Sequence, residues 1–468
     1  MSSPEITLID QAVAAAADAA TFWAESKAGL RIQLLNGLAD ALEQNQFKLI
    51  AIADEETGLG VVRLTGEVAR TAFQLRGFAN AVEAGVPYAV VDDQAIAGTP
   101  PTGRPHLTRV QQALGPVAMF SASNFPFAFS VLGGDTASAL AAGCPVVVKA
   151  HSGHPQLSRA VYEVALGVLT ALGLPTGLLG LVEGASRAAG VHLVQHPHIA
   201  AVAFTGSYQG GTALWKVANE RSRPIPFFGE LGSINPLLAL PEILERDGEH
   251  LAKSLAASIT LGCGQFCTSP GVIVLFEHPA SERFTELFAA ALQPLSTHRM
   301  LTPSMRRGFD DGVARLEQAA TARPLLQPQA DTGGPAPRLF AVDAQAFIED
   351  AHLREEVFGP AAIVLKVTSV AQAIDVLNAI GGSLTATLWG FEQASEDNRA
   401  LIRAARQIAG RVLFSGVPTG VAVTAAQQHG GPWPASTQPQ STSVGYAALE
   451  RFLRPVALQD APAWLLDE

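Results

Sequence analysis

The spacing of apolar residues changes along the chain. From Ile6 to about Gly85 they recur at helical intervals with few β-favouring runs, which predicts helices. After Gly115, short apolar runs alternate with longer amphipathic segments. They predict strands at 116–120, 145–149, 178–182, 199–204 and from 226, and helices ending near 142 and at 155–172, 186–195 and 208–219. This alternation is typical of βαβ units, whose parallel sheet is buried on both faces and binds ligands at the carboxyl ends of its strands.

A second α/β region is predicted between Leu237 and about Gly420. Its strands are expected to include 271–276, 361–367, 385–389 and 411–414. Two stretches rich in glycine and proline interrupt the pattern. The segment 98–105 is expected to be a projecting loop or hairpin, and 427–445 cannot form a regular helix.

Length and composition narrow the function classes. A chain of 468 residues with 48% hydrophobic and 16% charged residues suits two or three folded domains. The net charge of −11 argues against a nucleic-acid or anionic membrane surface as partner, and no run is apolar enough for a membrane span. The N-terminal segment lacks the features of a secretory signal, and three cysteines are too few for a disulfide framework, so we expect a cytoplasmic protein.

One cysteine has a local sequence suited to chemistry. Cys267 lies in Gly262-Cys-Gly-Gln-Phe-Cys-Thr-Ser-Pro270, whose glycines permit a tight backbone around an accessible sulfur. A thiol becomes a nucleophile when a base or a positive field activates it. A lone cysteine is more often a buried structural residue, and Cys263 fits that interpretation better. No metal is expected, because neither the Cys263/Cys267 pair nor the histidine pairs 151/154 and 196/198 complete a zinc ligand set.

Two polar residues accompany predicted strands. Glu230 lies between apolar residues and glycines in Phe228-Gly-Glu-Leu-Gly232, and partial burial would raise its pKa towards the range of a general base. An isolated glutamate of this kind is more often exposed in a turn. Asn124 follows the strand 116–120 and could donate to an oxyanion, although capping of the next helix is an equally good interpretation.

Two further segments suggest a nucleotide site. Lys149 ends the Val-rich strand 145–149. The turn Phe204-Thr-Gly206-Ser207 leads into a helix whose N-terminus can meet a pyrophosphate. The usual G-x-G-x-x-G fingerprint is missing from both, so the nucleotide hypothesis does not depend on it.

The order and spacing of these motifs resemble the aldehyde dehydrogenase superfamily across nearly the whole chain. The matching segments are Asn124-Phe125-Pro126, Lys149, Phe204-Thr-Gly-Ser207, Glu230-Leu-Gly232, Gly264-Gln-Phe-Cys-Thr268 and Glu355-Glu-Val-Phe-Gly-Pro360. The resemblance implies an α/β fold with a Rossmann-like cofactor-binding domain (1–97 and 116–229) and an α/β catalytic domain (230–426). It also implies a small oligomerisation arm with the C-terminal segment (98–115 and 427–468), and assembly as a homodimer or homotetramer.

The same resemblance implies a role for each matching residue. Cys267 would attack the aldehyde, Asn124 and the Cys267 backbone N–H would bind the oxyanion, and Glu230 would activate the water that hydrolyses the thioester. Contacts to NAD or NADP are expected from Lys149, Ser152, Arg187, Gly206, Ser207, Glu356 and Phe358. Two alternatives are a catalytically silent structural member and a thiol hydrolase that uses Cys267 without cofactor. The second would need a partner set centred on a histidine, which sequence order does not reveal.

The substrate is predicted from finer similarities. The segments 63–76, 428–436, 441–445 and 450–454 resemble the α-ketoglutaric semialdehyde dehydrogenases, and NADP-dependent fatty aldehyde dehydrogenases share much of them. A short aldehyde with a distal carboxylate is therefore expected before a long-chain aldehyde. Arg70, Gln74 and Phe125 would line its site. The chain has Ser123 where the superfamily usually has Trp, Ser415 where Asn is common, and no Pro-Phe-Gly-Gly segment, so its aldehyde funnel should differ in shape.

The cofactor preference rests on one position. In the superfamily the third residue after the strand-end lysine is commonly an acid that binds the ribose 2′-hydroxyl, and here it is Ser152. A serine does not repel a 2′-phosphate, and His151 or Arg187 could add donors. NADP is therefore expected to serve at least as well as NAD.

Overall fold

The computed structural model describes residues 3–184, 186–327 and 329–466. Its α-helices are α1 (Ser3–Ala24), α2 (Ala28–Gln44), α3 (Gln46–Thr57), α4 (Val61–Glu83), α5 (Gly134–Ala142), α6 (Pro155–Ala171), α7 (Arg187–Gln195), α8 (Tyr208–Asn219), α9 (Pro241–Thr260), α10 (Pro279–Leu292), α11 (Pro303–Gln318), α12 (Ala344–Glu349), α13 (Val370–Ile380), α14 (Glu396–Ile408) and α15 (Ala463–Leu466). Its strands are β1 (Val91–Asp93), β2 (Leu107–Ala113), β3 (Val117–Phe120), β4 (Val146–Lys149), β5 (Leu179–Val182), β6 (Ala201–Thr205), β7 (Phe227–Glu230), β8 (Pro236–Ala239), β9 (Val272–Phe276), β10 (Ala322–Pro324), β11 (Arg338–Asp343), β12 (Ala361–Val367), β13 (Ser383–Trp389), β14 (Ala409–Leu413) and β15 (Leu453–Gln459).

A five-stranded parallel sheet confirms the βαβ pattern of the first region. Its strand order is β5-β4-β3-β6-β7, so the chain starts at the centre and builds outwards in both directions. Short runs such as Val146–Lys149 form its strands because β-branched side chains pack well on a sheet buried on both faces. The register pairs Phe120 with Lys149 and with Phe204, and Thr205 with Glu230. The strand ends are therefore level, and the residues that follow them meet at one edge of the sheet.

A seven-stranded sheet forms the second region, in the order β10-β11-β12-β9-β8-β13-β14. All neighbours are parallel except the edge pair β10 and β11, which is antiparallel. The four predicted strands of this region are confirmed as β9, β12, β13 and β14. The segment that carries Cys267 lies between α9 and β9, near the middle of the sheet.

Three antiparallel strands, β1, β2 and β15, form a separate small sheet. The Gly/Pro-rich stretch 98–105 is a turn between β1 and β2, where Ile96 and Arg104 form an isolated bridge, so the predicted hairpin is confirmed. Strand β1 lies before residue 98, where the oligomerisation arm is predicted to start. The division of the chain into domains stays a prediction. The stretch 427–445 is irregular as expected, and it reaches the five-stranded sheet through an antiparallel bridge between Glu230 and Ser436.

The N-terminal part is helical, as its apolar spacing predicts. In α4 the buried positions include Leu64, Val68, Ala72 and Leu75, which recur every three or four residues and pack into the core. Glu67, Thr71 and Gln74 of the same helix are also buried. Buried polar residues on a helix need partners: Glu67 and Gln74 bond to the loop after β3, and Thr71 donates to the carbonyl of Glu67 in the same helix. Among the described residues, no helix has both the length and the apolar character needed to cross a membrane.

Candidate active site

The loop before β9 fixes the position of Cys267. Gly262, Cys263 and Gly264 all have left-handed backbone angles, with φ of 56°, 60° and 65°. A Cβ atom on Gly264 would collide with the backbone of Gly359, so this close approach requires glycine. Further along, the buried Asn235 side chain donates to the carbonyl oxygens of Cys267 at 2.8 Å and Ser269 at 3.0 Å. The turn and the amide together hold Cys267 in one place.

The three cysteines differ in accessibility as the sequence indicates. Cys144 and Cys263 are fully buried, whereas Cys267 is only partly buried. Burial raises the pKa of both Cys144 and Cys263 to about 11, which makes them poor nucleophiles at neutral pH. The interpretation of Cys263 as a buried structural residue is confirmed.

Cys267 lies beside a histidine and a carboxylate. Its Sγ is 3.5 Å from Nε2 of His429, and the same Nε2 is 3.1 Å from Oε1 of Glu230. The hydroxyl of Ser443 donates to the other carboxylate oxygen of Glu230. His429 and Glu230 are both buried, so these contacts are shielded from water. The arrangement of thiol, imidazole and carboxylate is one that can move a proton away from sulfur.

His429 was missed at the level of sequence. It lies in the segment Gln428-His-Gly-Gly-Pro432, which contributed only to the resemblance to semialdehyde dehydrogenases. Sequence spacing carries no sign of the contact, because His429 is 162 residues from Cys267. The available sign was a histidine followed by two glycines in an irregular segment, because functional residues are common in such loops.

Glu230 is the last residue of β7 and only 4% exposed, so the alternative of an exposed turn glutamate is wrong. The expected direction of its pKa is also wrong. Burial raises the pKa of Glu230, but His429, Ser443 and Cys267 stabilise the carboxylate, and the pKa is lowered overall. The carboxylate is therefore ionised at neutral pH and ready to accept a proton.

The pKa of the Cys267 thiol is shifted in the opposite direction from that of Glu230. Burial raises the pKa of Cys267 well above its usual value, and the neighbouring carboxylates Glu230 and Glu356 raise it further, while Arg70 lowers it. Cys267 is thus a neutral thiol at rest. It needs an acceptor for its proton at the moment of attack.

Asn124 lies in the loop after β3, close to the cysteine loop. Its side-chain Nδ2 donates to the carbonyl of Gln265 at 2.9 Å. It caps no helix, because the next helix, α5, begins ten residues later with Gly133 as its N-cap. Arg63 of α4 donates to the carbonyl of Asn124 and lies over the rings of Phe125 and Phe266, so it links both loops. Arg63 was not identified from the sequence.

The three residues predicted to line the substrate site, Arg70, Gln74 and Phe125, differ in their contacts. Phe125 packs edge-on against Phe129 and Phe266, with ring centroids 5.3 and 5.2 Å apart. Arg70 donates through Nη1 to the carbonyl of Val421 at 2.8 Å, and its buried Nε and Nη2 have no hydrogen-bond partner among the described residues. Gln74 is 2% exposed and donates to the carbonyl of Ala128 at 3.3 Å, so it supports the loop after β3.

The adenosine end of the predicted cofactor groove lies at the ends of β4 and β5. Lys149 ends β4 and donates to the carbonyls of Ala150 and Gly184. Ser152 and Arg187 are both exposed. Burial lowers the pKa of His151 to about 3, so this residue is neutral at physiological pH. Its Nδ1 accepts from the Gly153 N–H, and that its other ring nitrogen donates to the cofactor stays a prediction. Lys149 and Arg187 remain as the cations at this end.

The turn after β6 has the expected form. Ser207 is the N-cap of α8, and its hydroxyl accepts from the Gly210 N–H at 3.2 Å. A Cβ on Gly206 would be 3.0 Å from the ring of Phe204, so a side chain there would crowd the strand end. The helix N-terminus therefore stays open to a phosphate group.

Glu356 and Phe358 line a cavity together with Ser233, Gly264 and Phe266 of the cysteine loop region. Burial raises the pKa of Glu356 to about 8, and the Ser233 N–H only partly offsets this. A Cβ on Gly232 would collide with the Glu356 carboxyl group, which approaches the backbone here. A buried carboxyl with a single donor can accept further hydrogen bonds, so it fits ribose hydroxyls.

The described residues contain one grouping with the spacing of a metal site, formed by Glu230, Cys267 and His429 within 4.8 Å of one another. It was not anticipated from the sequence. The same three atoms form the proton-transfer arrangement described above, and that no metal is used stays a prediction.

Comparison with known proteins gives the context of this site. Residues 5–454 match the model of the aldehyde dehydrogenase family. The chain is 41% identical over 465 residues to alpha-ketoglutaric semialdehyde dehydrogenase 2 of Azospirillum brasilense, covering 98% of this chain and 88% of that protein. It is 40% identical over 468 residues to the alpha-ketoglutaric semialdehyde dehydrogenase of Acinetobacter baylyi, with the same coverage of both chains. A 1-pyrroline-5-carboxylate dehydrogenase from Thermus, solved with bound NAD, has the same fold with a TM-score of 0.80 and 21% identity, over 96% of this chain and 85% of that one.

Proposed function

The chain belongs to the aldehyde dehydrogenase family, whose members oxidise aldehydes to acids with NAD(P), and on this premise we propose that it converts α-ketoglutaric semialdehyde to 2-oxoglutarate. The two relatives with that activity in their names cover nearly all of this chain. The observation that carries the substrate proposal is the pair of unpartnered nitrogens on Arg70, beside the catalytic cysteine.

In the first step Cys267 attacks the aldehyde carbon. The ionised Glu230 carboxylate accepts a hydrogen bond from Nε2 of His429 at 3.1 Å and is the acceptor near Sγ for the thiol proton. The Asn124 amide, which faces the cysteine loop, donates to the oxyanion that forms. NAD(P) held in the proposed cofactor groove would supply the hydride acceptor, and the product left on Cys267 would be a thioester.

In the second step Glu230 acts as general base. Its carboxylate, ionised again once the thiol proton has passed to solvent, lies within 4.8 Å of Sγ and is held by Ser443 and His429. A water between this carboxylate and the thioester carbon would lose its proton to Glu230 and release the acid. Ionisation before the reaction makes the base available over the whole neutral pH range.

For the cofactor we propose contacts along the edge of the five-stranded sheet. Lys149 and Glu356 would bind the ribose hydroxyls, Gly206 and Ser207 the pyrophosphate, Phe358 the nicotinamide side, and Ser152 with Arg187 the region of the 2′-position. The support is the open N-terminus of α8 and the partly satisfied carboxyl of Glu356. We also propose that the enzyme is cytoplasmic, which would keep Cys267 reduced, and that the sheet of β1, β2 and β15 serves in a homodimer or homotetramer.

The substrate proposal is tested with three five-carbon aldehydes. We expect kcat/KM to be highest for α-ketoglutaric semialdehyde, lower for glutaric semialdehyde, which lacks the 2-oxo group, and about 100-fold or more below the first for pentanal, which has no charge. The reason is that a neutral tail leaves the buried guanidinium nitrogens of Arg70 unpaired, whereas a carboxylate pairs them.

Hexadecanal serves as the competing long-chain substrate in the same assay. A kcat/KM for hexadecanal or pentanal that exceeds the value for the semialdehyde would contradict the proposal. It would favour a dehydrogenase of neutral aldehydes, which is the alternative suggested by the shared fatty aldehyde segments.

The cofactor preference is tested at Ser152. In Ser152→Glu we expect KM for NADP to rise about tenfold or more, and KM for NAD to stay within about threefold, because a carboxylate repels the 2′-phosphate but can accept from a 2′-hydroxyl. Ser152 is exposed, so solvent will screen part of the repulsion. Ser152→Gln is the matched control, since it has the same shape without charge. Equal effects of both variants, or a parent enzyme that barely uses NADP, would show that the side chain at 152 does not face the 2′-position.

A further inference from the structure

A second arginine lies near the catalytic cysteine. Arg411, in β14, donates through Nη1 to the carbonyl of Gly420 at 2.7 Å and through Nη2 to that of Pro418. Its Nε is buried and has no hydrogen-bond partner among the residues that the structure describes. Burial lowers the pKa of Arg411, while a thiolate at Cys267 would raise it, so the two groups are within electrostatic reach.

Arg411 and Arg70 hold the same loop, residues 417–421. Arg70 donates to the carbonyl of Val421 and Arg411 to that of Gly420, the preceding residue. The loop is itself anchored, because the hydroxyl of Thr419 is 3.2 Å from that of Ser258 in α9. Both guanidinium groups therefore bond to adjacent carbonyls of one loop, and each lies within electrostatic reach of Cys267.

Burial disfavours the charge of each guanidinium group and lowers the pKa of both Arg70 and Arg411. The carboxylate of Glu67 favours the charge of Arg70, but it also pairs with Arg63 at 3.3 Å, and the pKa of Arg70 is still lowered overall. An anion bound between Arg70 and Arg411 would offset the cost of burying the two positive charges. The geometry therefore suits a bound carboxylate better than an apolar group.

We propose that Arg411 and Arg70 together bind the distal 2-oxo-carboxylate of the substrate, an inference that rests on the proposed function. Three guanidinium nitrogens lack partners within the described part of the chain, namely Nε and Nη2 of Arg70 and Nε of Arg411. The distal end of α-ketoglutaric semialdehyde carries three acceptor oxygens, two in the carboxylate and one in the keto group. Planar guanidinium groups match such acceptors with paired hydrogen bonds.

The test compares Arg411→Met and Arg411→Lys with the parent enzyme on the three five-carbon aldehydes. In Arg411→Met we expect kcat/KM for α-ketoglutaric semialdehyde to fall about 10- to 100-fold, mostly through KM, since the lost contact is a charge-assisted hydrogen bond. The value for pentanal should stay within about threefold. Arg411→Lys retains the positive charge but lacks the planar guanidinium group with its paired donors. Its kcat/KM for the semialdehyde should lie between the values of the parent enzyme and of Arg411→Met. Arg406→Met, an exposed position on α14, is the matched control and should behave like the parent.

The outcomes separate this inference from the proposed function. A parent enzyme that prefers the semialdehyde, with an Arg411→Met variant that keeps that preference, overturns the role of Arg411 alone. An equal loss on pentanal and on the semialdehyde means that Arg411 only holds the 417–421 loop, and it also overturns the inference. A parent enzyme without preference for the semialdehyde overturns the proposed function, and the inference with it. If the Arg411→Met variant does not fold, the Arg411→Lys variant is judged by the ratio of its kcat/KM for the semialdehyde to its kcat/KM for pentanal.

Discussion

The Cys267→Ala variant is expected to lose dehydrogenase activity by about four orders of magnitude or more in kcat/KM, because it removes the atom that attacks the aldehyde. The rest of the active site should remain intact. The Sγ of Cys267 contacts His429 and Glu230, whereas the loop that carries it is held by Asn235 and by the turn at 262–264. The substitution therefore separates chemistry from binding.

The measurement combines NADPH absorbance with cofactor titration. Binding of NADP should stay within about threefold of the parent, since the residues proposed to contact the cofactor are unchanged. Cys144→Ala and Cys263→Ala are the matched controls and should keep activity, because both sulfurs are buried with raised pKa values. Substantial turnover by the Cys267 variant would refute its assignment as nucleophile.

Much of this site could be predicted because parallel sheets collect strand ends at one edge. The apolar runs gave the strands β3, β4, β6 and β7 within a few residues. Their register then brings Asn124, Lys149, Ser207 and Glu230 to the same side. Only the order of elements and the direction of pairing are needed for that inference, and both follow from the alternation of strands and helices.

His429 and Arg411 could not be found in this way. His429 belongs to an irregular segment without periodicity, and it reaches Glu230 because the chain crosses the sheet edge at the Glu230–Ser436 bridge. Arg411 lies within a predicted strand, where side-chain direction depends on register, and its role appears only when the 417–421 loop is seen to join it to Arg70. Both are contacts between distant parts of the chain that local patterns do not record.

The pKa of Glu230 shows a related limit. Its burial could be predicted from the apolar residues and glycines around it, and burial alone raises a carboxyl pKa. The direction was reversed by His429 and Ser443, which come from the C-terminal segment. A residue's environment in sequence therefore predicts its burial better than its charge state.

The Glu230→Gln variant is expected to complete the first hydride transfer and then stall. An amide keeps the shape of the side chain but cannot accept a proton from water, so steady-state turnover should fall about 10²- to 10⁴-fold. Thioester formation should survive for two reasons. Without the carboxylate, Nε2 of His429 no longer has to donate to it and lies 3.5 Å from Sγ, where it can accept the thiol proton. Removal of a neighbouring negative charge also lowers the pKa of the Cys267 thiol.

Two measurements test the two reaction steps and the pKa of the Cys267 thiol separately. Rapid mixing of Glu230→Gln with saturating NADP and semialdehyde should give a burst of NADPH close to one per active site, followed by slow turnover. Alkylation of Cys267 by iodoacetamide, followed against pH without cofactor, should reach its half-maximal rate at lower pH in the variant than in the parent, since the carboxylate that opposes the thiolate is gone. A variant that turns over at the parental rate would mean that another group activates the water. An alkylation profile moved to higher pH would mean that Glu230 chiefly promotes ionisation of Cys267, contrary to the electrostatic argument.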